Sequence, residues 1–119
     1  MTQQDKNLLL RDLSARLPYG VKITFDGKYP VTVTPHLYAV MVMDANKNEN
    51  WMPYLRPMSS MTEEEKEEYE MLQTYPGFKT NHTDLTDMYD WLNKHHFDYR
   101  GMIEKGLAIE VTKENNPYK

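Results

Sequence analysis

The longest uninterrupted apolar run in the chain is Leu37 to Met43, seven residues partly β-branched and bounded by Thr34-Pro35 and Asp44-Ala45-Asn46. A short run between turn formers predicts a strand covered on both faces, here the centre of a sheet. Before it, Val21 to Phe25 alternates apolar and polar, which points Val21, Ile23 and Phe25 at the core. Asp26-Gly27 is a two-residue hairpin signal, and Tyr29 to Thr34 returns as a second strand. Pro30 gives up a ladder hydrogen bond and suits a strand start or an edge. Trp51 to Met58 holds two prolines, Pro53 and Pro57, and predicts at most a short fourth strand lying across one edge.

The remaining pattern is helical. Leu9, Leu10, Leu13 and Leu17 recur at helical spacing, predicting a helix from Gln3 to Leu17 with Asp5, Arg11, Asp12 and Arg16 on its outer side. Thr2 with Asp5 caps its start, and Pro18 ends it. Thr62 with Glu65 forms a capping box for a second helix, from which Tyr69, Leu72 and Met61 face inward. Six glutamates between Glu63 and Glu70 make its other side a solvated acidic face. A third helix starts at Thr83, with Leu85, Met88, Tyr89 and Leu92 as its stripe and Asp84, Asp87 and Asp90 opposite. Asp98 caps a short fourth helix, Tyr99 to Lys105. Gly106 ends it in the left-handed conformation, which brings Leu107 back to Met102. Leu107 to Val111 adds an edge strand, and Lys113 to Lys119 is expected to fray.

Helix, strands, then helices is the order of an α+β fold rather than a parallel doubly wound one. The expectation is an N-terminal helix, a small mainly antiparallel sheet of three to four strands centred on residues 37–43, and two to three C-terminal helices packed on it. Residues 1–119 fit one domain, since 119 residues can bury about two-thirds of their unfolded surface.

Composition narrows the function classes. The net charge of −4 is divided unevenly: residues 1–61 hold seven basic and five acidic groups, residues 62–119 seven and thirteen. An acidic second half repels phosphate backbones, which disfavours nucleic acid as the partner. There is no cysteine, hence no disulfide or thiolate metal site, which fits a reducing compartment. No apolar stretch approaches a membrane span, and Met1 to Lys6 has no secretion-signal pattern, so the expected location is the cytoplasm. The nine methionines read as core filler.

Three blocks carry a resemblance: Leu8-Leu9-Leu10-Arg11-Asp12-Leu13 through Leu17-Pro18-Tyr19-Gly20, Pro53-Tyr54-Leu55-Arg56-Pro57-Met58-Ser59-Ser60-Met61-Thr62 with Glu63 to Glu65, and Asp90-Trp91-Leu92-Asn93 through Gly106-Leu107-Ala108. Together they resemble a family of short uncharacterised proteins of Bacteroides-type gut bacteria and their phages or mobile elements. The resemblance implies an intracellular bacterial or phage accessory protein and supplies no site residues.

His95 and His96 are the most chemically suggestive pair. Adjacent residues on a helix point about 100° apart, so the two rings do not readily share one ion. His82 stands thirteen residues earlier, and no His pair has the i, i+4 spacing of a helical metal site. No metal and no cofactor are therefore expected, and Asp84, Asp87 and Asp90 lack the ring of oxygen ligands a hard cation needs. An enzyme would have to use His95, His96, Tyr99 and Arg100, with Asp98, Tyr54 and Arg56 nearby. A nucleic-acid-binding regulator would use Tyr99, Arg100 and Lys94 for stacking and phosphate contact. The favoured reading is a non-catalytic accessory protein acting through protein–protein interaction. Aromatic and Arg residues of the kind that anchor interfaces are concentrated in Trp51 to Arg56 and His95 to Arg100. Tyr54, Arg56, His96, Tyr99 and Arg100 are the candidate binding residues. The bland alternative is that Tyr99 and His96 are buried and both arginines pair with carboxylates.

Overall fold

The computed structural model describes residues 2–25, 29–43, 51–74 and 85–118. In chain order these form α1 (Gln3–Arg16), β1 (Lys22–Phe25), β2 (Val31–Thr32), α2 (Pro35–Met43), β3 (Trp51–Leu55), α3 (Glu63–Thr74), α4 (Thr86–Lys94) and β4 (Ile109–Glu110). Four helices and a four-stranded sheet of order β2-β1-β3-β4 make an α+β fold. β1 pairs antiparallel with both β2 and β3, while β4 runs parallel to β3. Among the described residues no helix is long and apolar enough to cross a membrane.

The sheet is not centred on residues 37–43: that run is helix α2. Periodicity cannot separate a short all-apolar strand from a helix segment, and the flanking residues decide it. Thr34 is the helix cap, its hydroxyl accepting the Leu37 N–H at 3.1 Å. Pro35 stands at the first helical position, where its missing N–H is not needed. Leu37, Tyr38 and Met41 pack inward against the core, and the Tyr38 hydroxyl donates to the Leu10 carbonyl of α1 at 3.1 Å.

The centre of the sheet belongs to β1 and to β3, the strand expected at an edge. Val21, Ile23 and Thr24 are all fully buried, so the first strand is covered on both faces. In β3, Trp51, Pro53, Tyr54 and Leu55 are buried. Pro53 is tolerated because β4 begins to pair only at Tyr54, leaving one side of the strand without a ladder partner at Pro53. β2 and β4 are edges, as expected. The Asp26-Gly27 turn lies outside the described residues.

The capping assignments hold. Thr2 and Asp5 exchange hydrogen bonds at 3.0 and 3.2 Å, and Thr62 and Glu65 do so at 3.1 and 2.9 Å. The predicted stripe of α1 is rotated: Leu9, Asp12, Leu13 and Arg16 are the buried residues, so Asp12 and Arg16 lie inside. The stripe of α4 is rotated too. Met88, Trp91 and Leu92 face the core, whereas Leu85 and Tyr89 are exposed and Asp87 is buried. Thr83 and Asp84 lie outside the described residues. The expected helix from Tyr99 to Lys105 is only a single turn, in which the Lys105 N–H reaches the Gly101 carbonyl at 3.3 Å. Gly101 at φ +71° prevents a longer one. Asp98 does cap that turn, accepting the Met102 and Ile103 N–H groups at 2.8 and 2.9 Å. Gly106 has φ +75°, and Leu107 N–H returns to the Met102 carbonyl at 2.9 Å, closing the predicted helix-end motif.

Two hydrophobic clusters result. One gathers α1, α2, β1, β3 and Met102, Leu107 and Ala108; the other joins Met61, Leu72, Met88, Trp91, Leu92 and Phe97 between α3 and α4. Tyr69 stacks on Trp91 at 5.8 Å, as its inward position on α3 predicted. Between the clusters runs the segment 95–98, pairing with Arg56 through Arg56 N–H to His96 C=O at 2.7 Å and Asp98 N–H to Arg56 C=O at 2.8 Å.

Candidate functional site

The five candidate residues do not form one exposed patch. Tyr54 is buried in β3. Arg56 and His96 line a cleft of about 650 Å³, together with Glu65, His95, Lys113 and Tyr118 among others. Tyr99 and Arg100 line a separate depression of about 440 Å³ with Ala15, Tyr89 and Asn93.

In the cleft, Arg56 is committed to partners within the chain. Its guanidinium makes two hydrogen bonds to the Glu65 carboxylate at 2.8 and 2.7 Å and one to the Ser60 carbonyl, and it lies 4.2 Å from the centre of the Phe97 ring. The Arg56 hydrogen bonds hold the Glu65 carboxyl down at a pKa of about 2. His95 Nδ1 is 3.7 Å from Glu65, a charge contact too long for a hydrogen bond, and burial, the larger influence, lowers the His95 pKa. Its ring packs on Trp91 at 4.6 Å. A carboxylate already committed to an arginine is poorly placed to orient that imidazole as a base. This arrangement is one of structural pairing.

His96 follows α4 at φ +63°, the left-handed position a glycine usually takes. Its N–H returns to the Asn93 carbonyl at 3.1 Å and the next, Phe97 N–H, to Leu92 at 3.0 Å. The imidazole lies flat on Tyr118, centroids 3.7 Å apart and planes 7° apart. Burial first, then the nearby Arg16, His95 and Arg56 charges, push the His96 pKa down to about 4. Its Nδ1 is buried without a hydrogen bond. Tyr118, from the segment expected to fray, is tied down here. Its hydroxyl accepts the Lys22 N–H at 3.0 Å and donates to the Tyr54 carbonyl at 2.7 Å, and burial raises its pKa to about 12.

Behind the second depression lies a charge network that the sequence reading missed. The fully buried Arg16 makes two bonds to the fully buried Asp12 carboxylate at 2.8 and 3.2 Å and one to the Phe97 carbonyl at 2.6 Å. Arg100 reaches the same carboxylate at 3.1 Å. Both guanidinium carbons also lie near the Tyr99 ring, 5.3 Å (Arg16) and 5.0 Å (Arg100) from its centre, and the Tyr99 hydroxyl donates to Asn93 at 2.9 Å. The signal was present in the chain: Leu9, Asp12, Leu13 and Arg16 stand at i, i+3, i+4 and i+7, so an opposite-charge pair shares a face with two leucines.

Among the described residues no three His, Cys, Asp or Glu side chains are grouped to hold a metal ion; His82 and Asp84 lie outside them. The surface that stands apart is α2. Ala39, Val40, Val42 and Met43 face outward, Met43 with 83% of its surface exposed, and the helix carries no Lys, Arg, Asp or Glu. No protein-family model, curated protein or solved structure matches this chain.

Proposed function

We propose that this protein is a non-catalytic accessory protein that binds another protein through the outer face of α2. The reading rests on one observation: a nine-residue helix without a charged side chain leaves Val40, Val42 and Met43 in water. Contiguous exposed apolar surface is unfavourable by roughly 25 cal/mol per Å² and is a mark of interaction sites. The lack of cationic side chains favours a protein partner with its own apolar face over nucleic acid, whose binding is dominated by Lys and Arg contacts to phosphate. The resemblance of the three sequence blocks to bacterial and phage proteins is consistent with such a role in the cytoplasm.

The test is a double substitution, Val42→Lys with Met43→Lys, at exposed positions where the fold is not at stake. Wild type and variant are used as baits in the same host extract. The expected result is a specific protein recovered by wild type, lost with the variant, and competed away by excess untagged wild type. Equal recovery of that protein by both baits removes α2 from the interface. Retention of wild type on DNA or RNA at physiological salt, unaffected by the two lysines, moves the protein to the nucleic-acid class.

A further inference from the structure

A different part of the molecule, independent of α2, holds an aromatic side chain in a way that defines a recognition slot. Continuing the β1–β3 register from Ile23 opposite Pro53 puts Lys22 opposite Tyr54. A ladder bond between Lys22 N–H and Tyr54 C=O is absent there, and the Tyr118 hydroxyl stands between the two groups, accepting from one at 3.0 Å and donating to the other at 2.7 Å. A side chain with a ring and both a donor and an acceptor at its tip satisfies this pair. Phenylalanine has no polar tip and tryptophan only donates. The ring face is read by His96 at 3.7 Å. His96 does so from a left-handed backbone position where a residue other than glycine costs about 1 kcal/mol.

Apart from the Tyr118 ring itself, the segment that delivers it is held mostly to itself. Thr112 N–H bonds Asn115 C=O, Asn115 N–H bonds the Thr112 hydroxyl, and Tyr118 N–H bonds the Asn116 side chain. Lys113, Glu114 and Asn115 are exposed. Its backbone hold on the sheet is the Val111 N–H to Leu55 C=O bond at its start. Segments with few buried contacts open at a cost well below global unfolding. The slot opens onto a cleft of about 650 Å³, one wall of which is Thr112, Lys113, Asn116 and Tyr118 of this same segment, so its departure leaves Arg56, Glu65, His95 and His96 facing solvent beside the slot.

We infer that this slot is a binding site for a tyrosine side chain, filled by Tyr118 in the closed form and available to a tyrosine of another polypeptide when residues 112–118 swing out. At neutral pH the phenol is protonated, with its pKa raised to about 12, so the donor to Tyr54 is retained.

The experiment has two parts, both on the full chain. In wild type, hydrogen exchange at the Lys22 amide is compared with that at Leu55. The inference expects Lys22 to exchange by local opening, at least tenfold faster and insensitive to low denaturant. Exchange of both amides only through global unfolding overturns it. In Tyr118→Ala, p-cresol, toluene and a synthetic peptide of residues 112–119 are titrated, and the His96 ring and Lys22 amide resonances are followed. The expected result is saturable binding of p-cresol and tighter binding of the peptide, with toluene at least tenfold weaker than p-cresol. Toluene equal to p-cresol, or a peptide that does not bind, overturns the site as a tyrosine receptor. If Tyr118→Ala does not fold, Tyr118→Phe replaces it: the peptide must bind this variant better than wild type, and failure to do so has the same meaning.

Discussion

Two short apolar stretches meet opposite fates in this molecule. α2 has no charge and no breaker beyond its first residue, yet only Met41 is fully buried. β3 contains a proline and is followed by Arg56-Pro57, yet it is one of the two inner strands of the sheet, with Trp51, Pro53, Tyr54 and Leu55 all buried. The difference is in the neighbours. β3 is paired on one side by β1 and on the other by β4, and beyond it the 95–98 segment bonds Arg56 at 2.7 and 2.8 Å. α2 touches the core along one side. Hydrophobicity favours burial, but strands and helices on both sides are what deliver it.

The largest test of this contrast is a truncation in β3. Leu55 has no exposed surface, and Leu55→Ala should lower stability by about 3 kcal/mol through lost burial and the cavity left behind. Urea unfolding midpoints would show it, and a loss under 1 kcal/mol would mean that β3 is not the packing centre.

Next is Arg56→Ala, expected to cost about 2 kcal/mol, because it strands the Glu65 carboxylate and uncovers Phe97. A double-mutant cycle with Glu65→Gln should return a coupling on the order of 1 kcal/mol.

A pH titration probes the same hub. Unfolded histidine titrates at 6.5 and folded His96 at about 4, so the unfolded chain takes up the proton first. Stability is fully present above pH 6.5 and is lost as pH falls toward 4, by about 1–2 kcal/mol once solvent screening of the partly exposed ring is allowed for. Glu65 adds a separate loss as pH falls from 4.5 toward 2. The first loss should shrink in His96→Gln, with His95, whose pKa burial also lowers, supplying the remainder, while the second loss is unchanged.

Gly106→Ala should cost about 1 kcal/mol from backbone strain alone, since a β-carbon there meets no atom within 4 Å. An unchanged midpoint would show that the turn before β4 tolerates the left-handed conformation without glycine. The smallest effect is expected on α2: Val42→Ala should stay within about 0.5 kcal/mol of wild type. A loss comparable to that of Leu55→Ala would erase the contrast.

The candidate site was legible only in part. Arg56 and Arg100 were named as binding anchors, with pairing to carboxylates as the alternative, and the structure pairs them with Glu65 and Asp12. The chain could not show that Tyr118 crosses the sheet to reach His96, because a contact between positions 22 residues apart leaves no local pattern. Spacing places Asp12 and Arg16 on the face of Leu9 and Leu13, but only the packing opposite decides that this face is the buried one, since a charged pair is buried when each partner satisfies the other.

What the sequence determined by itself is what a few neighbouring residues settle through their own hydrogen bonds and torsions. Thr2 with Asp5 and Thr62 with Glu65 cap their helices, and Gly106 takes φ +75°. Pro18 sits in the 3-10 turn that ends α1, and Val21 and Ile23 point inward. Tertiary structure decided which apolar run became the sheet's centre, which charges went inside and which aromatic ring closed the β1–β3 gap. Those outcomes depend on what packs opposite, and a residue's own type and spacing carry only half of that contact.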